Sequence, residues 1–325
     1  MLRFLLRRTT GAVVILFLIA AFTFFMFFAI PQDPATLACG KNCTPDALAI
    51  IHKNLGLDSP VPVQFWDFVV GIFNGRDFSV GRCDAPCFGM SFSDREMVWD
   101  TLIDRFPLTL SLSIGGIISF LTIGLGTGMM AAWKRGTSLD KTVSAFSLVL
   151  SSMQIYFLGP VMVGLFVFST GWLDKPKYVP FSESFGGWFM GLLIPWLVMS
   201  VIFTANYTRM ARSTMIEQLQ EEHVRAARAK GMTSKYVFFR YAWRGSLIPI
   251  VTILGMDLGA LFGGAIVTEF TFGLHGLGRL AVESVNNKDL PLTMGVMIFS
   301  AAFILLFNII IDAAYAYIDP RVRLS

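Results

Sequence analysis

Glu221-Glu222-His223-Val224-Arg225-Ala226-Ala227-Arg228-Ala229-Lys230-Gly231-Met232 is the stretch on which the fold turns. Acidic residues at its start and Arg or Lys toward its end suit the helix dipole. Ala226, Ala227 and Ala229 give high helix propensity and a slim surface, and Gly231 supplies a C-terminal stop. These features predict a short independent helix. On either side of it, at about 187–207 and 247–268, lie apolar runs that meet the requirement of about 20 residues for crossing a bilayer. A charged helix held between two spans sits at a membrane surface. It suits insertion into a groove on a partner protein; an interfacial helix resting on anionic lipid is the competing reading.

Composition extends this to the whole chain. Of 325 residues, 54% are hydrophobic and 15% charged, against roughly 25% charged in soluble domains. Mean hydropathy is +0.64. This excludes a soluble globule, a disordered chain, a nucleic-acid-binding domain and a disulfide-rich mini-protein. Six apolar stretches qualify as spans, at about 11–30, 108–133, 142–172, 187–207, 247–268 and 293–317. The first, preceded by Arg3, Arg7 and Arg8, is longer than the about 7–15 apolar residues of a signal peptide and lacks a small-x-small cleavage site, so it reads as a retained span. Alternating sides from the N-terminus places 16 of the 26 Lys and Arg residues in one set of loops, eight of them in the 208–246 loop. Positive residues stay inside, so both termini are expected in the cytoplasm. The chain thus divides into 1–30, an outer loop 31–106, a five-helix core 107–317 carrying the 208–246 loop, and a tail 318–325.

The outer loop is long for a simple connection. Thr44 followed by Pro45 reads as an N-cap with Pro at the first helical position, opening a helix over about 46–55. A second amphipathic run, 63–73, places Phe65, Trp66, Val69 and Phe73 near one side. The expectation is a small helical extracytoplasmic subdomain that covers the outer ends of the spans, or docks an external protein. All four cysteines, Cys39, Cys43, Cys83 and Cys87, lie here. An even number on the oxidising side predicts one or two disulfides with three possible pairings; two C-x3-C pairs holding zinc are the alternative.

No catalytic constellation is legible. His52, His223 and His275 fall in different loops, so a shared metal site is not expected, and Gly273 to Gly278 is followed by Arg279 and Leu280 rather than the Lys of a phosphate loop. The chain is therefore read as non-enzymatic, with no cofactor of its own. Uphill transport would need an ion gradient or a partner. Within the fifth span, Gly255, Gly259 and Gly263 share one face, as close helix packing in lipid requires. Asp257 is a mid-span charge, which is costly and normally faces a polar cavity or a partner. It is a candidate for the translocation path, where it would meet a peptide amino terminus. Glu269, at the outer end, is a candidate for a gate or receptor contact.

The 208–246 loop resembles the "EAA" loop of ABC-transporter membrane subunits in the version seen in bacterial peptide permeases. The matching residues are Val224, Arg225, Ala227, Arg228, Ala229, Lys230 and Gly231, then Arg244 and Leu247-Ile248-Pro249. The likeness runs along the chain. It includes Arg3-Phe4-Leu5-Leu6-Arg7-Arg8, Ile30-Pro31-Gln32-Asp33-Pro34, Leu55-Gly56-Leu57-Asp58 and Arg105-Phe106-Pro107-Leu108-Thr109-Leu110. It continues through Glu269-Phe270, Gly276-Leu277-Gly278, Asp289-Leu290-Pro291, Asn308, Asp312 and Tyr317-Ile318-Asp319-Pro320-Arg321. Gln154 stands where the family commonly has a span-three Pro, which removes the usual cause of a kink. His275 replaces a Pro, and the cysteine pairs lie outside the general pattern.

The resemblance implies an all-α integral membrane protein with the six transmembrane helices of the type I ABC importer permease fold, in a bacterial inner membrane. It implies that Glu222, Val224, Arg225, Ala226, Ala227, Arg228, Ala229, Lys230 and Gly231 couple to an ATPase. Expected partners are a second homologous permease, two cytoplasmic ATP-binding subunits that hold ATP and Mg, an extracytoplasmic binding protein and lipid, with no nucleic acid. Di- or oligopeptides are the implied cargo, with nickel or another small solute as the alternative. An ion-driven secondary transporter would call for several intramembrane charges and internal repeats; the chain has one clear mid-span charge and no repeat.

Overall fold

The computed structural model describes residues 2–29, 35, 36, 44, 45, 48, 52, 59–78 and 81–318. Ten helices of at least eight residues are present among them: α1 (Leu2–Ala29), α2 (Val61–Asn74), α3 (Val98–Trp133), α4 (Ser138–Ser151), α5 (Ile155–Val163), α6 (Phe185–Gln218), α7 (Glu222–Ala229), α8 (Trp243–Phe272), α9 (Leu277–Asn286) and α10 (Leu290–Ile318). Two π-helical segments extend α5 (Gly164–Ser169) and precede α8 (Val237–Ala242). Five helices are long and apolar enough to cross a membrane, and a sixth span arises if α4 and α5 are counted as one bent pair. The all-helical membrane fold expected from the sequence is the one observed. A small hairpin, β1 (Arg76–Phe78) against β2 (Gly81–Cys83), is an addition that periodicity did not foresee.

The third span is not the single rod that its hydropathy predicts. It bends by 105° at Ser152–Gln154, although no Pro stands at 154. Serine hydroxyls stand at the bend, where their competition for helix carbonyls favours it. The Ser151 and Ser152 Oγ atoms both donate to the Leu148 carbonyl, at 2.8 and 3.2 Å. The Ser152 and Met153 N–H groups then close tight turns onto Val149 and Leu150. Gln154 is extended, and its carbonyl accepts the first hydrogen bonds of α5 from Phe157 and Leu158.

The chain forms two compact units. One comprises Leu108–Leu274 and residues from Ile310 onward; the other comprises Leu2–Pro107 and His275–Ile309. The boundary within α3 falls at Pro107, where the helix necessarily lacks a backbone donor.

In the first unit, α3 and α6 meet along a seam of small residues. A Cβ at Gly124 would come within 2.9 Å of the Tyr207 Cβ, and one at Gly128 within 2.6 Å of the Thr208 carbonyl oxygen. This Gly-x3-Gly pair allows close backbone approach, which the Trp196 Nε1 bond to the Ser111 carbonyl (3.1 Å) reinforces further along. The predicted glycine seam on the fifth span is only partly observed. Gly255 packs against Ile311, while the surroundings of Gly259 and Gly263 lie outside the described residues. The signal for the α3 seam, Gly124-x3-Gly128, was present in the sequence and was missed.

The second unit has an aromatic and aliphatic core that includes Phe24, Phe65, Phe68, Phe88, Leu102 and Leu292. Its polar centre is Asp289, which is completely buried. One carboxylate oxygen accepts from the Ser91 hydroxyl (2.5 Å), the Ser93 hydroxyl (2.8 Å) and the Ser93 N–H (3.1 Å); the other accepts from the Leu292 N–H (3.2 Å). Asp289 therefore caps α10 and ties the loop before α3 to it. Cys83 and Cys87 form a disulfide; Cys39 and Cys43 lie outside the described residues. Of the helix predicted over 46–55, Pro45, Leu48 and His52 are helical and the Leu48 N–H bonds to the Thr44 carbonyl, while the remainder lies outside the described residues. The amphipathic face expected on 63–73 is corrected. Phe65 and Phe68 are the buried pair, whereas Trp66 and Phe73 are exposed. The 3.6-residue period brings Phe68, not Trp66, onto the side that packs.

Candidate functional site

The charged stretch forms α7 with the bounds Glu222–Ala229. It begins at Glu221, whose backbone is extended and whose carbonyl accepts from the Val224 and Arg225 N–H groups. It ends through Lys230 at Gly231, which has φ +77 and donates its N–H to the Arg228 carbonyl at 2.9 Å. A Cβ on Gly231 would meet nothing within 4 Å, so glycine is required there for its left-handed backbone and not for space. Gly231→Ala is expected to cost about 1 kcal/mol of local stability, read as faster amide hydrogen exchange across Val224–Ala229, with Gly231→Asn milder. Unchanged exchange in the alanine variant would refute this.

α7 has two distinct faces. Val224 and Ala227 are buried and pack on Val237 of the following π-helical segment, with Leu219, Met232 and Tyr241 around them. Glu222, His223, Arg225, Ala226, Arg228, Ala229, Lys230 and Gly231 are exposed. The sequence reading placed all of these residues on one coupling element. The structure divides them: Val224 and Ala227 seat the helix on its own chain, and the remainder face outward. None of the basic residues Arg225, Arg228 or Lys230 is in an ion pair among the described residues.

Helices α4, α6 and α8 are tied to one another by further contacts. Asp140, at the start of α4, is buried and receives a bidentate pair from Arg212 of α6, at 2.5 and 2.9 Å. The Gly136 N–H adds a third bond at 3.0 Å. Arg212 presents two parallel N–H groups as carboxylate geometry demands. Where α6 ends and α8 begins, the Gln218 side-chain amide lies directly over Gly245, so a Cβ there would require that side chain to move. Met215 and Phe238 join Ala132 and Ala242 in a small apolar cluster beneath. Sequence reasoning did not identify the Asp140–Arg212 brace, because the two residues are separated by 72 positions.

The two path candidates occupy different surroundings. Asp257 on α8 is half-buried. Tyr207 of α6, itself buried, lies within electrostatic reach of this carboxylate, and its hydroxyl has no hydrogen-bond partner among the described residues. Phe120 holds the Tyr207 ring at a centroid distance of 4.8 Å. Glu269 is fully buried and accepts from the Thr109 hydroxyl at 2.6 Å. Its carboxylate is enclosed in helix packing close to Gly273, where α8 ends. Asp257 and Glu269 lie on α8, apart from the outward face of α7.

Residues 105–324 match the family described as binding-protein-dependent transport system inner membrane component, and residues 1–113 match its N-terminal counterpart. The chain belongs to this family. It is thus a multi-pass permease subunit of the ABC-transporter class, a family whose members are generally non-catalytic and work with other transporter subunits. The permease is 31% identical to a probable peptide ABC transporter permease protein of Sinorhizobium fredii over 98% of its own length and 99% of that chain. It is 32% identical to the glutathione transport system permease protein of Salmonella typhimurium, over 99% of each. Among solved structures it is similar to a chain of the inward-facing MetNI methionine ABC transporter, with 20% identity, a TM-score of 0.48, and coverage of 68% of this chain and 94% of that one.

Proposed function

We propose that this permease forms half of the transmembrane path of an ATP-driven importer for di- or oligopeptides. The observation that carries this reading is α7: a helix seated on its own chain through Val224 and Ala227, whose outward face is slim and basic, with no ion pair at Arg225, Arg228 or Lys230 among the described residues, as a docking element for a motor subunit should be. The relatives named for peptide and glutathione transport support the cargo class. The complete assembly would hold a second homologous permease, two cytoplasmic ATPases binding ATP and Mg, and an extracytoplasmic binding protein that delivers the peptide. Both termini would be cytoplasmic. The chain itself performs no chemistry: closure of the ATPase dimer moves α7, and the seat on Val237 passes that motion into α8.

Asp257 is the proposed polar contact within the path. A half-buried carboxylate within a span is suited to a cationic amino terminus, and desolvation around it strengthens that attraction. The test is uptake by the reconstituted complex, using a panel of di- to octapeptides with free and acetylated amino termini, and nickel as a competing cargo. ATP-dependent accumulation of peptides is expected. In Asp257→Asn, uptake of free-amine peptides should fall roughly tenfold, equivalent to about 1.4 kcal/mol, with acetylated peptides little changed. Equal uptake of both peptide forms by both proteins would remove Asp257 from the path, and accumulation of nickel alone would replace the cargo assignment.

A further inference from the structure

The helix α2 belongs to the loop that sequence reading assigned to a small extracytoplasmic subdomain covering the outer ends of the spans, yet it packs alongside the first span. Its Phe65 ring lies 5.6 Å from Phe17, 5.4 Å from Phe24 and 5.7 Å from Phe25 of α1, and Phe68 lies 5.8 Å from Phe24. The apolar span of α1 is Leu6–Met26. At 1.5 Å per residue, Phe17 is about 13 Å inside the end marked by Met26, close to the middle of a hydrocarbon core about 30 Å thick. A helix touching both Phe17 and Phe25 is therefore alongside the span and not above it.

The other side of α2 agrees with that depth. Val63, Trp66, Val70 and Phe73 are exposed, at 46%, 60%, 38% and 75%. Their spacing of three, four and three residues makes one stripe. At 100° per residue this stripe lies nearly opposite the buried Phe65 and Phe68, so core packing does not account for it. The helix carries a single formal charge, Asp67, on a flank between the two faces. Asp67 interacts with Arg76, whose guanidinium stands 5.4 Å over the Phe68 ring and 5.7 Å over the Phe78 ring. The neighbouring surface of α1 is also apolar and exposed at Val13, Val14, Leu18 and Phe22, so the stripe continues a surface that a span must present to lipid.

We infer that α2 is embedded in the leaflet adjoining the C-terminal end of α1, with Val63, Trp66, Val70 and Phe73 facing phospholipid acyl chains. Its polar flank, with Asp67 and Arg76, points toward the headgroups. This widens the membrane-embedded perimeter of the subunit by a helix too short to span. The inference does not depend on the cargo or on which side of the membrane the loop lies.

The test uses the full chain in phospholipid bilayers, with native cysteines kept oxidised and a spin label introduced singly at positions 63, 66, 70 and 73. Arg82, exposed on the hairpin, is the aqueous control position. Collision with oxygen is expected to exceed collision with a water-soluble nickel chelate at all four stripe positions, with the reverse at 82. In parallel, phospholipids brominated on their acyl chains should quench a component of the tryptophan fluorescence that Trp66→Phe abolishes. Chelate access along the stripe would overturn the proposal in favour of an aqueous subdomain. Protection from both reagents, without bromine quenching at Trp66, would overturn it in favour of a protein partner covering this face.

Discussion

Asp289→Ala is expected to lower the stability of the permease by about 3–4 kcal/mol, the largest loss predicted for any single side chain described above. The Ser93 and Leu292 N–H groups both donate to this carboxylate; the Leu292 donor is buried, and leaving it without an acceptor costs about 1–3 kcal/mol, while the part-buried Ser93 donor loses less. The Leu292 bond is also the N-cap of α10, whose removal costs about 1 kcal/mol. The serine hydroxyls lose less, since Ser91 Oγ and Ser93 Oγ already lie 3.2 Å apart and can pair with each other. Asp289→Asn should be milder, because an amide keeps one oxygen for the three donors on the Ser91–Ser93 side and fails only toward Leu292. The measurement is denaturant or thermal unfolding of the solubilised chain. A double-mutant cycle with Ser93→Ala isolates the coupling between the two residues. An alanine variant within 1 kcal/mol of the parent, or an asparagine variant worse than alanine, would refute the account.

Ala226→Trp is expected to reduce ATP-dependent uptake by the assembled transporter at least roughly tenfold, a loss of about 1.4 kcal/mol or more in docking to the motor, while leaving the permease folded and inserted. Ala226 is exposed on α7, so a bulky ring there has room within this chain and meets only what docks on it. Ala227 is the contrast. It is buried against Val237, and Ala227→Trp must displace its own seat, at an overpacking cost of about 1–3 kcal/mol. The pair of variants therefore separates failure of docking from failure of folding. Copurification of ATPase subunits with each variant, alongside amide exchange over α7, reads both. If Ala226→Trp transports normally, α7 is not the motor contact, whatever happens at Ala227.

Much of this organisation was legible from residue order. The spans stand out because hydrocarbon presents the same solvent to any sufficiently long apolar run. The start and stop of α7 were legible because dipole, propensity and the glycine stop are local effects within ten residues. Reading failed where a local rule lacked its partner. The bend at Ser152–Gln154 was not foreseen because proline was taken as its cause, whereas the observed bend has no proline and carries serine back-bonding to Leu148. The face of α2 was misassigned because the helix is apolar on two sides, and periodicity alone does not say which side meets α1.

What the sequence alone determined is therefore the one-dimensional part: an all-helical membrane protein, its spans, the distribution of charge between its loops, and a short charged helix between two of those spans. Tertiary structure alone decided which residues of that helix face outward, that Gly124 and Gly128 make the close seam, that Asp289 reaches back 198 residues to Ser91, and that Asp140 finds Arg212. The physical reason is the range of the forces involved. Transfer into lipid and helix capping are set by a residue and its near neighbours. A buried carboxylate or a glycine seam acquires its meaning only from atoms that the chain brings to within hydrogen-bonding or van der Waals distance after folding.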